Sequence, residues 1–371
     1  HLSIRRQRQM CIRDRDKAPS ALSFGERTQN PDQCLELLLR LARNHTANLK
    51  SFCAKPAQLE RLCVILGASS ALFEFLDRHI EQLSLLETIQ QLPTLAQHSQ
   101  QLLDQAESVA SIRIAYRKQL LKIASFDLFQ KDPEGGVGLV AASLADLAGA
   151  TLDAGLKLAR LEISKPDNTV SFPEAEVLAT KVAVIGMGKC GAAELNYISD
   201  VDVIFVAEPS GDLESARAME IATKLVTRMM RIMDEVGTEP SLWQVDANLR
   251  PEGKSGALVR SLDSHQSYYE RWAESWEFQA LLKARPIAGD HDLGQQYIDR
   301  IWPKVWESTV RENFVDSVQK MRQRVTDHIP IAEVDSQIKL GPGGLRDIEF
   351  TVQLLQFCLL YTSPSPRDRT R

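Results

Sequence analysis

The sequence lacks several features, and each absence narrows the reading. It has six cysteines but no CxxC pair and no other metal-ligand spacing. A disulfide framework or a structural zinc site is therefore not expected, and the cysteines read as reduced thiols of a cytoplasmic protein. No uninterrupted apolar run approaches the ~20 residues that span a bilayer. Neither end contains the apolar core of roughly 7–15 residues that marks a signal peptide, so no membrane partner is expected. Positive charge is also short: the formal net charge is −5, which argues against general nucleic-acid binding. No internal repeat is visible. PEGKSG has the look of a phosphate loop, but Asn248 stands where the first glycine of the Walker pattern should be, which argues against a P-loop ATPase.

What is present suits a folded protein. Of 371 residues, 44% are hydrophobic and 25% charged, within the globular range. The length allows two or three domains of roughly 100–200 residues each. The ends differ from the rest. Arg5, Arg6, Arg8, Arg13 and Arg15 crowd the start, and Arg367, Arg369 and Arg371 the finish, without helix or strand periodicity. Residues 1–17 and 358–371 are expected to be non-native ends, with the natural chain continuing past about Gln356 and Met10 not a true start. Between them, a helical region is expected over 18–165, a mixed α/β core over 166–293 and a helical bundle over 294–357.

Residues 30–165 read as helices. Asn30-Pro31-Asp32-Gln33 is a start signal, Ser69 or Ser70 can cap a second helix, and a third is expected over Thr94 to Ala124. Asp132 to Gly136 marks a break before a long Ala/Leu helix, Gly138 to Glu162. His79 and His98 read as ordinary surface or core histidines. Lys165-Pro166-Asp167-Asn168 reads as a linker. After it, an apolar run from Val182 to Ile185 stops at Gly186-Met187-Gly188-Lys189-Cys190-Gly191, and a second run, Val201 to Val206, begins between Asp200 and Asp202. An amphipathic helix over Asp212 to Glu235 carries Ile221, Leu225, Met229 and Ile232 on one side. Leu242 to Leu249 alternates like a strand, with Trp243, Val245 and Ala247 opposite Gln244, Asp246 and Asn248. One helix is expected over Ser267 to Ala284, further helix over Gly294 to Ile329, a turn at Gly341 to Gly344 and a last helix over Leu345 to Leu355.

The glycine turn matches the dinucleotide fingerprint GxGxxG, with Glu208 near the distance of a ribose-binding acid. That would suit an NAD(P)-dependent oxidoreductase. Two features oppose it. About ten residues separate turn and second strand, the lower limit for a crossover helix, and a Rossmann strand should be apolar where Asp200 and Asp202 stand. These acids, at i and i+2, share a strand face. Strand geometry puts their carboxylates roughly 6–7 Å apart, a repulsion of roughly 2–3 kcal/mol at an effective dielectric near 20. A divalent cation turns that repulsion into ligation, and Mg2+ suits carboxylates together with phosphate oxygens. Asp246 supplies a third acid, and three carboxylates on adjacent strands can hold two metals for in-line displacement at phosphorus. Gly186 and Gly188 offer backbone N–H groups to a phosphate, with Lys189 and Ser199 placed to assist. Arg250, Lys254, Arg260, Lys283 and Arg285 follow as a basic set suited to an anionic ligand.

A glycine turn, DxD on a strand and a lone acid on a later strand resemble the nucleotidyltransferase superfamily of the DNA polymerase β type. More closely, GMGKCGAAELNYISDVDVIF, VDANLRPEGKSGALVRS, WEFQALLKARPIAGD and IKLGPGGLRDIEF resemble the bifunctional glutamine synthetase adenylyltransferase and adenylyl-removing family, nearest its actinobacterial members. Cys190 and Ala192 depart from the commoner leucine and glycine of the turn, at positions that bear no charge. The resemblance implies an α+β nucleotidyltransferase-type mixed sheet with helices, flanked by helical regions. ELNYISD and the preceding helical region imply the N-terminal, adenylyl-removing half. That half removes AMP from an adenylylated tyrosine of glutamine synthetase, with phosphate as nucleophile and ADP as product. The absent half adds AMP from ATP, and a PII signalling protein is the family's regulator. By motif, Asp200, Asp202 and Asp246 would be the metal-binding acids, with Gly188 and Ser199 at the phosphate. Tyrosinate, of pKa about 10, is a fair leaving group. A non-catalytic docking module is the remaining alternative.

Overall fold

A computed structural model describes residues 23–26, 28–166, 171–308, 314–327, 329–330, 334 and 336–362. The expected foreign end 1–17, residues 363–371 of the one expected over 358–371, and Asp167 and Asn168 of the expected linker lie outside the described residues.

The first helices are α1 (Pro31–Asn44), α2 (Thr46–Phe52), α3 (Pro56–Ala68) and α4 (Ser70–Arg78). Asn30 caps α1 by accepting from the Gln33 N–H at 3.1 Å, and Ser69 caps α4 through Leu72. Their apolar faces close a cluster around Leu41, Leu62, Leu66, Phe73 and Leu76, completed by Leu121 and Ala124 of α6 (Val109–Phe129). The single helix expected from Thr94 to Ala124 is two, α5 (Leu95–Asp104) and α6. Ser108 breaks the run because it forms a capping box with Ser111 and starts a new helix. Conversely, the break expected at Asp132 to Gly136 is a beginning. Asp132 accepts from the Gly135 N–H, Pro133 takes the first helical position, and α7 runs over Pro133–Ile163.

The next elements are α8 (Glu174–Ala179), β1 (Thr180–Gly186), the one-turn helix α9 (Gly188–Gly191), β2 (Val201–Pro209), α10 (Ser215–Asp234), β3 (Val245–Asp246), β4 (Val259–Arg260), α11 (Leu262–Arg271), α12 (Ser275–Leu281) and β5 (Arg285–Gly289). Then follow α13 (His291–Glu307), α14 (Phe314–Asp327) and α15 (Leu345–Thr362). The helix expected over Ser267 to Ala284 divides into α11 and α12 because the Glu277 side chain reaches back to accept the Glu274 N–H at 3.0 Å, which starts a new helix. At the other end, α15 continues beyond Leu355 into the segment expected to be foreign.

The sheet is mixed, in the order β3-β2-β1-β5, with β4 following β3 along β2. β1 is antiparallel to β2 and to β5, whereas β3 and β4 are parallel to β2. An antiparallel β1–β2 pair excludes the Rossmann unit, whose first two strands are parallel. Alternation sorts the side chains into two layers. Val182, Val184, Val203 and Phe205 join α5, α6, α7 and α10 on one face. Ala183, Ile185, Ile204 and Val206 join α11, α13 and α15 on the other. Helix α7 is long and apolar enough to cross a membrane, yet 61% of its most apolar stretch is buried inside the protein. Its glycines explain the depth. A Cβ on Gly149 would lie 2.5 Å from the Ile287 carbonyl oxygen of β5, and one on Gly155 would lie 2.5 Å from Met233 of α10.

A buried arginine ties α6 to the end of α10 and the segment that follows it. Arg113 of α6 donates to the carbonyls of Ile232, Glu235 and Glu239, capping the C-terminal end of α10. Arg117, one turn on, donates to Pro240 and Ser241 at 2.9 Å. Together they direct residues 235–241 toward β3.

Candidate active site

Asp200, Asp202 and Asp246 meet at one end of the sheet. Each offers a carboxylate oxygen, and the three atoms lie within 4.8 Å of one another. The acids are therefore closer than the 6–7 Å of an ideal strand. Asp200 sits just before β2 rather than on it, in exposed chain that is free to turn its side chain inward. Asp202 stands on β2 in register with Asp246 on β3. The expected strand over Leu242 to Leu249 is reduced to Val245–Asp246, but its alternation holds: Val245 and Ala247 are buried, Gln244 and Asn248 exposed. The Asp246 carboxylate also accepts the Asn248 N–H at 2.7 Å, which fixes its direction.

Asp202 is the strained member. Burial, followed by the charges of Asp200 and Asp246, pushes its pKa up to about 6, against the opposing positive charges of Arg346 and Lys339. A carboxylate that must be charged for its neighbours to ligate, yet is held near neutral without a cation, fits a hard divalent ion bound through oxygen. The glycine turn is built around the same group. Gly188 has φ +51°, and a Cβ there would sit 2.5 Å from the Asp202 carboxylate. The Met187 N–H donates to the Asp202 carbonyl at 2.8 Å. Cys190 is buried in the turn, where burial pushes its thiol up to about 12, so it is no nucleophile.

The residues expected at phosphate fall into two groups. Lys189 and Lys254 are exposed, and Ser199 is half-buried next to Asp200. The others are engaged in the frame. Gly186 is buried against Ile287 and Gly191. Arg250 donates to the carbonyls of Ala247, Lys254 and Gly256, stapling the loop between β3 and β4. Arg260 pairs with Glu252 of that loop. Arg285 donates to the carbonyls of Cys190 and Gly191, holding α9 from beneath. Lys283 bridges Glu194, at 3.1 Å, and Glu349 of α15, at 2.9 Å. Glu208 lies at the opposite end of β2 from Asp202 and accepts the Leu262 N–H at the start of α11, which leaves no ribose acid for a dinucleotide. Lys339 and Arg346 were not among the expected site residues, although both lie in the quoted motif IKLGPGGLRDIEF. Their signal was two cations around a glycine turn, far in sequence from the acids.

Comparison with known proteins agrees with this geometry. The family model described as glutamate-ammonia ligase adenylyltransferase matches residues 59–299, and one described as PII-uridylyltransferase matches 313–367. A Leifsonia xyli protein is 50% identical over 369 residues, covering 95% of this chain and 36% of that protein. One from Streptomyces avermitilis is 48% identical over 339 residues, 89% of this chain and 32% of that protein, and one from Mycobacterium avium is 42% identical over 346 residues, with 89% and 32% covered. All three are named bifunctional glutamine synthetase adenylyltransferase/adenylyl-removing enzyme. The chain spans about a third of the length of these curated relatives. With the acid cluster, the glycine turn and the mixed sheet in place, the chain belongs to the glutamate-ammonia ligase adenylyltransferase family.

Proposed function

We propose that this chain removes AMP from an adenylylated tyrosine of glutamine synthetase by phosphorolysis, as the adenylyl-removing half of a bifunctional enzyme whose other half adds AMP from ATP. The observation that carries the reading is the cluster of Asp200, Asp202 and Asp246 oxygens within 4.8 Å, against which the turn at Gly188 is fitted.

In this reaction an oxygen of inorganic phosphate forms a bond to the AMP phosphorus, and the bond from phosphorus to the tyrosine oxygen breaks. ADP and a tyrosinate result, and the tyrosinate takes a proton from water. Magnesium ions, when bound, supply Lewis-acid stabilisation of the phosphoryl oxygens. Asp200, Asp202 and Asp246 hold the cations and transfer no proton themselves. The turn at Gly188 and Lys189, with Ser199 and Lys254, receives the phosphoryl groups. Arg250, Lys283 and Arg285 hold the loops that present them. A PII-type protein is the proposed regulator, which the match of residues 313–367 to a PII-uridylyltransferase model supports, and the cytoplasm the proposed location.

The test is direct. Adenylylated glutamine synthetase is incubated with the chain, Mg2+ and phosphate, and ADP is measured. Phosphate-dependent ADP is expected, lost in Asp202→Asn. A folded chain that binds glutamine synthetase but forms no ADP would be a docking module, and the reading would fall.

A further inference from the structure

The C-terminal segment, expected to be a bundle after the core, packs on the face of the sheet that carries Asp202. Asp202 shares its strand face with Ile204 and Val206, the face on which Phe350, Leu354 and Phe357 of α15 pack. The start of α15 is tied to the glycine turn through a chain of contacts. A Cβ on Gly191 would lie 2.0 Å from the Lys283 carbonyl oxygen, so the two backbones touch. The Lys283 ammonium holds Glu349 at 2.9 Å, and Glu349 holds Arg346 at 3.3 Å.

The turn that carries these cations is braced independently. Arg322 of α14 pairs with Asp347 and donates to the Gly341 carbonyl at 3.0 Å. Asp347 accepts the Gly343 N–H at 2.6 Å, and the Arg346 N–H donates to the Lys339 carbonyl at 3.0 Å. The first N–H groups of α15 are thus spent on the turn itself, and what the turn presents is side-chain charge. Lys339 is exposed and forms no ion pair among the described residues. Glu349 engages one guanidinium nitrogen of Arg346, which leaves the rest of the planar fork for an oxyanion.

Two cations at the edge of a site for metal ions make little sense for the metal alone, since they repel it. They make sense when the ligand brings more negative charge than the metals neutralise. We propose that Lys339 and Arg346 form a binding point for a tetrahedral phosphate group at the edge of the acid cluster, carried by the C-terminal segment rather than by the sheet. The identity of the phosphate rests on the function proposed above: it is either the attacking inorganic phosphate or a phosphoryl group of the nucleotide.

Binding measurements separate this from that function, because they need no turnover. Affinities for inorganic phosphate and for ADP, each with Mg2+, are measured calorimetrically on the chain and on Arg346→Met, Arg346→Lys and Lys339→Met. Arg346→Met is expected to weaken one of the two about tenfold, with Arg346→Lys recovering part of the loss. Lys339→Met, at an exposed position that folding does not need, is expected to weaken the same ligand several-fold and to flatten its salt dependence. Loss confined to phosphate assigns the free anion, and loss for ADP assigns the nucleotide. Unchanged affinity for both ligands in folded variants overturns the proposal. So does tighter Mg2+ binding with no change in anion affinity, which would mean that the cations only offset the acids.

Discussion

Asp202 of β2 and Asp246 of β3 stand in the same register on neighbouring parallel strands. Parallel register sets the two carboxylates side by side, and Asp200 folds in from the preceding loop. Asp246→Asn keeps the shape and removes one charge. Mg2+ is expected to raise the melting temperature of the parent chain, and Asp246→Asn is expected to abolish that rise and to lower ADP formation roughly a hundredfold or more. Retention of both effects would show that the third acid is not a ligand.

Gly188→Ala tests the fit of the turn. The backbone there is left-handed, and the new methyl would press on the Asp202 carboxylate. A stability loss of about 1–2 kcal/mol is expected, together with a fall in Mg2+ affinity, because the carboxylate has to move. Urea titration and metal titration of the same variant would read both. A variant that binds Mg2+ as the parent does would separate the turn from the metal site.

The sequence showed most of this site because its main elements lie close together along the chain. Gly188, Asp200 and Asp202 fall within one hairpin-like stretch, and Asp246 follows on a strand whose alternation survives in the structure. The helical regions and the two apolar strands were legible for the same reason, since apolar runs and helical periods are local, whereas the mixed-sheet fold class came from the resemblance carried by the four motifs. What escaped is what depends on three-dimensional partners. Arg250 and Arg285 look like free cations in sequence, whereas each donates to carbonyls that only the folded loops bring near. Lys339 and Arg346 approach Asp202 only because α15 covers one face of the sheet. The breaks at Ser108 and Glu274 were missed because capping boxes there interrupt patterns that otherwise run on as single helices.

The raised pKa of Asp202 gives a pH signature in protein stripped of divalent ions. Burial and the neighbouring acids hold its folded value at about 6, above the ordinary 3.8. The charged form is therefore disfavoured in the folded state. That penalty is fully present above about pH 6, fades as pH falls from there toward 4, and is absent below. Asp202→Asn is accordingly expected to stabilise the metal-free chain at pH 7–8 by about 1 kcal/mol, after allowance for partial solvent exposure, and to make no difference at pH 4. Denaturant curves at the two pH values in EDTA would show it. Equal effects at both would mean that the gain comes from something other than the carboxylate. In the parent chain, Mg2+ affinity is expected to fall as pH drops through 6, since binding must then displace a proton.

Arg113 carries the last prediction, which links the helical layer to the site. Its guanidinium is fully buried and satisfies carbonyls of Ile232, Glu235 and Glu239. These belong to the end of α10 and to the segment that leads into β3. Arg113→Met keeps most of the volume but leaves several buried carbonyls without donors, at about 1–3 kcal/mol each where water cannot replace them. A total loss of about 3 kcal/mol is expected, because the chain around 235–241 can relax toward solvent. The same relaxation frees the approach to Asp246. Mg2+ affinity is therefore expected to fall even though Arg113 lies on the opposite face of the sheet from the α15 cations. Arg117→Met, which removes donors to Pro240 and Ser241 on the exposed side, is expected to cost less than 1 kcal/mol. If both variants lost stability equally while Mg2+ affinity stayed at the parent value, α6 would serve only as a scaffold and not as the brace that sets Asp246.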